Sequence, residues 1–149
     1  MSLESGRYLI KNQNKYIGRH LHESMSMLPK HIVTLPEDVQ APKVWQVEPT
    51  GDNTYILRCK DGIAREHSDE IYAVVLHEPH PQEWYLEHVP HHGENVYVIL
   101  RKDRQQGWIV TSDEDYQHVK CRPLLVGPSL PPFYPPNERF EFIRASESD

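Results

Sequence analysis

Short windows of the chain either alternate apolar and polar residues or run apolar for a few positions between turn residues. Tyr8 to Lys11, Tyr55 to Arg58, Tyr72 to Leu76, Val96 to Leu100 and Trp108 to Thr111 are the clearest. Such windows predict β-strands. No stretch of eleven or more residues carries an i, i+3, i+4, i+7 apolar stripe free of proline or turn signals, so at most one short helical turn is expected. The pattern therefore describes an all-β chain.

Comparing the chain with itself sharpens this expectation. Val44 to Glu48 leads through Gly51 to Asn53 into Tyr55 to Arg58 and then Lys60 to Gly62. Glu83 to Glu87 leads in the same way through Gly93 to Asn95 into Tyr97 to Arg101 and then Lys102 and Asp103. A third copy of the first half lies at Arg139 to Ile143, and a copy of the second half opens the chain at Gly6 to Lys11. The repeat is thus circularly offset, with one copy split across the termini. Tyr8, Tyr55 and Tyr97 mark three pieces of similar length, each with room for about four short strands. That is the requirement of a β-trefoil: twelve short strands with pseudo-threefold symmetry, six closing a barrel and six forming a cap of hairpins. Closure removes the sheet edges that invite aggregation. One domain spanning residues 1–149 is expected, with a strand near Phe140 paired to one near Tyr8.

Residues 95–98 align with residues 53–56 either directly or through a one-residue gap that matches the two Leu-Arg pairs. A slip of one residue reverses the side chains facing inward. The gapped alignment predicts Tyr8, Ile10, Tyr55, Leu57, Val98 and Leu100 inside. Trp45, Val47, Trp84, Leu86, Phe140 and Phe142 would be the repeated core anchors.

Composition excludes some partners. A formal net charge of -6 argues against nucleic acid and anionic membrane surfaces, which recruit concentrated Lys and Arg. No apolar run approaches the roughly 20 residues that span a bilayer, and the first residues lack the basic and apolar segments of a signal peptide, so a cytoplasmic monomer is expected. Cys59 and Cys121 lack metal-ligand spacing and are expected as free, partly buried thiols. The sequence has no nucleophile elbow, phosphate-binding loop or dinucleotide fingerprint, so an enzyme is not expected, nor is a cofactor.

Function is then sought in the connections. Residues 20–31 are too long for a tight hairpin and place Met25, Met27 and Leu28 where polar residues are usual, with Pro29 stiffening the descending limb. These side chains either fold back to plug the barrel rim or await a partner. In the second case the loop Glu23, Ser24, Met25, Ser26, Met27, Leu28 and Pro29 would enter a protease cleft, with Met25 or Met27 filling the primary pocket. Gly127 to Asn137 holds five prolines and must be extended. It is a rigid return to the last strand or a second binding loop presenting Ser129, Leu130 and Phe133; Pro128 to Pro131 also fits a PxxP ligand, a pattern of low specificity. His77, His80, His88, His91 and His92 lie near carboxylates, but prolines scatter their directions, so solvated loop histidines and no metal site are expected. Lys60 to Gly62 reads as a hairpin turn.

The repeat, the opening Gly6 to Asn12, Gly18-Arg19, Leu28 to Lys30 and the closing Pro135 to Phe142 together resemble the mushroom serine protease inhibitors of the cospin and cnispin family over essentially the whole chain. The resemblance implies a β-trefoil, an intracellular fungal defence role, and inhibition of trypsin-like enzymes by a basic residue in a surface loop. In one branch of the family that loop joins the second and third strands, matching His20 to His31; in another it lies near the end, matching the proline-rich stretch. Here the first loop carries Met25 and Met27 at its tip, and the second has no basic residue. A trypsin pocket ends in aspartate, whereas chymotrypsin-, elastase- and subtilisin-like pockets are apolar. A preference for the latter enzymes is therefore expected, with Lys30 as the alternative trypsin-directed residue. The rival readings are a sugar-binding lectin, because Gln82 to Trp84 matches QxW in one repeat, a cysteine protease inhibitor, and a partner-binding scaffold.

Overall fold

A computed structural model describes residues 3–147 and 149. Twelve strands follow one another: β1 (Gly6–Asn12), β2 (Lys15–Arg19), β3 (Lys30–Leu35), β4 (Val44–Gly51), β5 (Thr54–Cys59) and β6 (Gly62–His67). The second half of the chain gives β7 (Glu70–Val74), β8 (Trp84–His88), β9 (Val96–Arg101), β10 (Gly107–Ile109), β11 (Lys120–Arg122) and β12 (Phe140–Arg144). Among the described residues the helical content is two 3-10 turns, Pro90–His92 and Pro136–Glu138, where at most one was expected. Both begin at proline, whose fixed φ suits the first position of a helical turn.

Antiparallel pairing runs β1–β4, β4–β5, β5–β8, β8–β9, β9–β12 and β12–β1, which closes a six-stranded barrel. The hairpins β2–β3, β6–β7 and β10–β11 form the cap. They join one another through β3–β7, β7–β11 and the Val33–His118 bridge. This is the β-trefoil. The chain ends meet as the split repeat requires, with Tyr8 opposite Arg144 and Ile10 opposite Phe142. Asn12, buried beside them, donates from Nδ2 to the carbonyls of Arg139 (3.0 Å) and Pro136 (3.2 Å).

The repeated aromatics pack around the pseudo-threefold axis. Trp45 and Trp84 donate their indole N–H groups to the carbonyls of Ile17 (2.8 Å) and Ala64 (3.0 Å). In the third repeat Phe140 has no N–H to place. Instead Trp108 of β10 makes edge contacts with Trp45, Trp84 and Phe140 at 5.9, 5.5 and 6.1 Å. Edge-to-face packing at these distances is the favoured aromatic geometry.

The register expected for β9 is corrected. Tyr97 and Ile99, not Val98 and Leu100, join the barrel core, so the ungapped alignment holds. Val98 and Leu100 are nevertheless buried, in a separate cluster with Val89 and Tyr134. The proline-rich segment lies over the outer face of β9, and a strand covered on both faces loses the alternation that reveals its register. Cys59 and Cys121 are free and fully buried rather than partly so, and burial pushes both thiols up to about 12.

Truncating Ile99 to Ala should cost about 2–5 kcal/mol in denaturant unfolding, as for a fully buried aliphatic, whereas Leu125→Ala on the surface should stay within about 0.5 kcal/mol.

Candidate functional site

The connection between β2 and β3 leaves the barrel at Arg19 and returns at Lys30. Both residues are cations, and both are buried, at 2% and 8% exposure. Arg19 donates Nε and Nη2 to the two carboxylate oxygens of Glu23, at 3.0 and 2.8 Å. Its Nη1 donates to Asp61 (2.7 Å) and to the Cys59 carbonyl (3.0 Å) in the turn between β5 and β6. The outgoing limb of the loop is thereby fastened to the barrel by a bidentate ion pair. Lys30, where the returning limb enters β3, ties the outgoing limb to that strand, its ammonium donating to the Ser24 carbonyl (2.7 Å) and hydroxyl (3.1 Å).

Burial alone would lower the pKa of Arg19, but its bonds to Glu23 and Asp61 hold it above the ordinary value. The guanidinium hydrogen bond keeps the Asp61 carboxyl below the usual carboxylate range. A buried charge is tolerable when paired and hydrogen-bonded in this way. The turn Lys60 to Gly62 has a purpose beyond reversing the chain. A Cβ on Gly62 would lie 2.6 Å from the Ala73 Cβ and 3.1 Å from Arg19 Nη1, so only glycine leaves room for the guanidinium.

Above these ties the tip projects. Met25 is 98% exposed, Met27 56%, and Leu28 is also outside, so the side chains do not plug the barrel rim. Residues 25–28 are bent rather than extended. Ser24 and Ser26 meet through their hydroxyls at 2.8 Å across Met25, and the Leu28 N–H points to the Ser26 hydroxyl at 3.4 Å. Lys30, the trypsin-directed alternative, lies in β3 opposite Ala73, buried, with its ammonium engaged by Ser24 inside the loop.

The proline-rich segment carries a second exposed tip, Leu130, at 96% exposure. Ser129 donates to the Pro131 carbonyl (2.9 Å), and the Gly127 N–H to the Phe133 carbonyl (2.7 Å). Phe133 is only half exposed, with the Arg139 guanidinium 5.1 Å above its ring and His92 in edge contact at 5.2 Å. His91 is exposed, as expected of a loop histidine, whereas His92 is partly buried and packed against this segment. His91 Nε2 bonds the Pro132 carbonyl at 2.6 Å, and His92 Nε2 accepts from the Tyr134 N–H at 3.1 Å. Among the described residues no three His, Cys, Asp or Glu side chains converge as metal ligands. The QxW residues serve the scaffold: Gln82 Oε1 accepts from the Glu66 N–H at 2.8 Å, and Trp84 is the core anchor already described.

A closed six-stranded barrel capped by three hairpins and carrying two exposed apolar tips defines the β-trefoil class. Comparison with known proteins makes it specific: the family model of Peptidase inhibitor I66 matches residues 1–144, and the chain belongs to that family, one of inhibitors rather than enzymes. It is 38% identical over 143 residues to a serine protease inhibitor of Lentinula edodes, covering 96% of this chain and 99% of the relative. A proteinase inhibitor from Coprinopsis cinerea superposes with a TM-score of 0.88 at 37% identity, over 97% of this chain and all of that one. A designed threefold-symmetric protein, ThreeFoil, shares the fold at a TM-score of 0.70 and 15% identity, covering 94% and 99% of the two chains.

Replacing Arg19 by Met should speed amide exchange through residues 20–29 and cost about 2–3 kcal/mol, less than a fully enclosed pair because Asp61 is largely exposed. In the second segment, burial and then Arg139 and His91 lower the pKa of His92. A histidine with a depressed folded pKa contributes stability that is full above its unfolded value near 6.5 and is lost as pH falls through the folded value. Protection of the Tyr134 amide should accordingly drop between pH 7.5 and 5, and His92→Gln, which keeps an acceptor but cannot titrate, should remove that dependence.

Proposed function

We propose that the chain inhibits serine proteases by offering residues 23–29 as a substrate-like loop, with Met25 entering the primary specificity pocket. The observation that carries this reading is the bracketing of Met25: its side chain is free while Ser24 and Ser26 on either side are tied to each other and Ser24 to Lys30. An enzyme's serine would attack the Met25 carbonyl, and the Ser26 amine would be the leaving group. Because Glu23 and Ser24 are tied to the barrel, and Ser26 meets the Ser24 hydroxyl on a short limb that runs into β3, that amine stays beside the acyl-enzyme, so resealing competes with release. A loop that is ordered before docking also loses little conformational freedom on binding.

Methionine is unbranched, apolar and adaptable, which suits chymotrypsin-, elastase- and subtilisin-like pockets and leaves the aspartate of a trypsin pocket without a partner. Met27 is the second candidate because it is also exposed, though less. Leu130 offers a separate apolar tip, and titration of enzyme against inhibitor reports whether one or two enzymes are held. The reading needs one cytoplasmic chain per inhibitory loop and no cofactor.

Met25→Glu should raise the inhibition constant against chymotrypsin or subtilisin by about a hundredfold or more, since a carboxylate must then be desolvated in an apolar slot. Met27→Glu should cost less than about tenfold. The reverse ranking assigns the bond to Met27 and Leu28, and unchanged inhibition by both variants removes the loop from the mechanism.

A further inference from the structure

A groove of about 470 Å³ opens beside the returning limb of the loop, lined by Leu28 and Pro29, by Tyr72 and Val74 of β7, and by Arg65 and Glu78. It lies within the size range of cavities that hold ligand groups, about 300–1,000 Å³. Its lining is mostly apolar, with a polar feature at Glu78. One oxygen of that carboxylate, Oε2, pairs with Arg65 at 3.2 Å. The other, Oε1, is buried and has no hydrogen-bond partner among the described residues. A buried acceptor left unpaired is costly, and a donor that meets this carboxylate as it turns toward the groove would relieve that cost.

Leu28 and Pro29 lie on the C-terminal side of both candidate scissile bonds, Met25–Ser26 and Met27–Leu28. The groove therefore borders the leaving-group half of the loop. The loop alone is also too small for a tight complex: residues 23–29 are far fewer than the roughly 20–30 residues per side of a standard interface.

We infer that this groove is a second docking site for the target serine protease, receiving a surface loop that borders the leaving-group side of its cleft. That loop would present an apolar side chain to Tyr72 and Val74, and an N–H or cationic donor to Glu78. The inference rests on residues 23–29 being the inhibitory loop. It makes β6, β7 and the connection after β7 determinants of which protease is held, independently of the residue at the tip.

The test uses the full chain and whichever of chymotrypsin, elastase and subtilisin it inhibits most strongly. Val74→Lys should raise the inhibition constant about tenfold, chiefly through faster dissociation, and Glu78→Gln by about two- to fivefold. Both variants should keep the wild-type melting temperature within a few degrees and the wild-type rate of cleavage at the tip. If Val74→Lys fails to fold, Glu78→Gln carries the test alone. Wild-type inhibition constants for the folded variants would overturn the groove, as would an increase accompanied by faster cleavage at the tip, which would assign the effect to loop packing. Loss of inhibition in Met25→Glu or Met27→Glu alongside such a result would leave the loop standing, whereas inhibition unaffected by both methionine variants would remove the loop itself.

Discussion

A single buried guanidinium connects the rigid part of this molecule to the part that meets a partner. Arg19 ends β2 and binds both Glu23 on the outgoing loop and Asp61 on a neighbouring repeat, so loop position is set by the barrel rather than by the loop's own sequence. Lys30 of β3 adds a second tie to the same limb through Ser24. Two cations in the low-dielectric margin of a barrel are costly unless every charge finds a partner, and here the partners are the loop residues that must be held still. The tip can then be apolar and exposed without collapsing inward.

That arrangement depends in turn on closure. The ring of six strands leaves no free edge in the barrel, and the three hairpins brace one another across the cap. Trp108 stands between Trp45, Trp84 and Phe140, so the threefold core is filled by an asymmetric residue choice that makes the third repeat different from the others. With packing assigned to the strands, the connections are at liberty to diverge. Residues 20–29 and the proline-rich segment 127–137 are the two that present apolar tips. The second is braced differently, by the His92 acceptor, by His91 on the Pro132 carbonyl and by the Arg139 guanidinium.

The repeat and the alternation of strand residues made the trefoil and its closing β1–β12 pair legible in the sequence, whereas the exposure of the methionines stood open between two readings. The register of β9 was not, because Val98 and Leu100 are covered by Tyr134 and read as core on either alignment. The loop's fastenings were missed for a different reason. Arg19, Lys30 and Asp61 are charged residues in or beside strands, and charge in a sequence reads as solvent-facing; their convergence needs contacts between residues far apart in the chain. The pairing of Asp61 with Gly62 in a turn was visible, but nothing in the pattern told that turn from its echo at Lys102 and Asp103. The role of His92 was likewise missed, since the Tyr134 amide that it accepts from lies in another segment.

The central claim is that the barrel keeps both sides of the scissile bond in place after it is cut. It is tested by preparing the chain already cleaved between Met25 and Ser26, incubating it with catalytic amounts of the inhibited protease, and following intact mass over time. The account predicts that the bond is remade until intact and cleaved chains stand in comparable amounts. A cleaved chain that stays cleaved, or that dissociates without inhibiting, would contradict it.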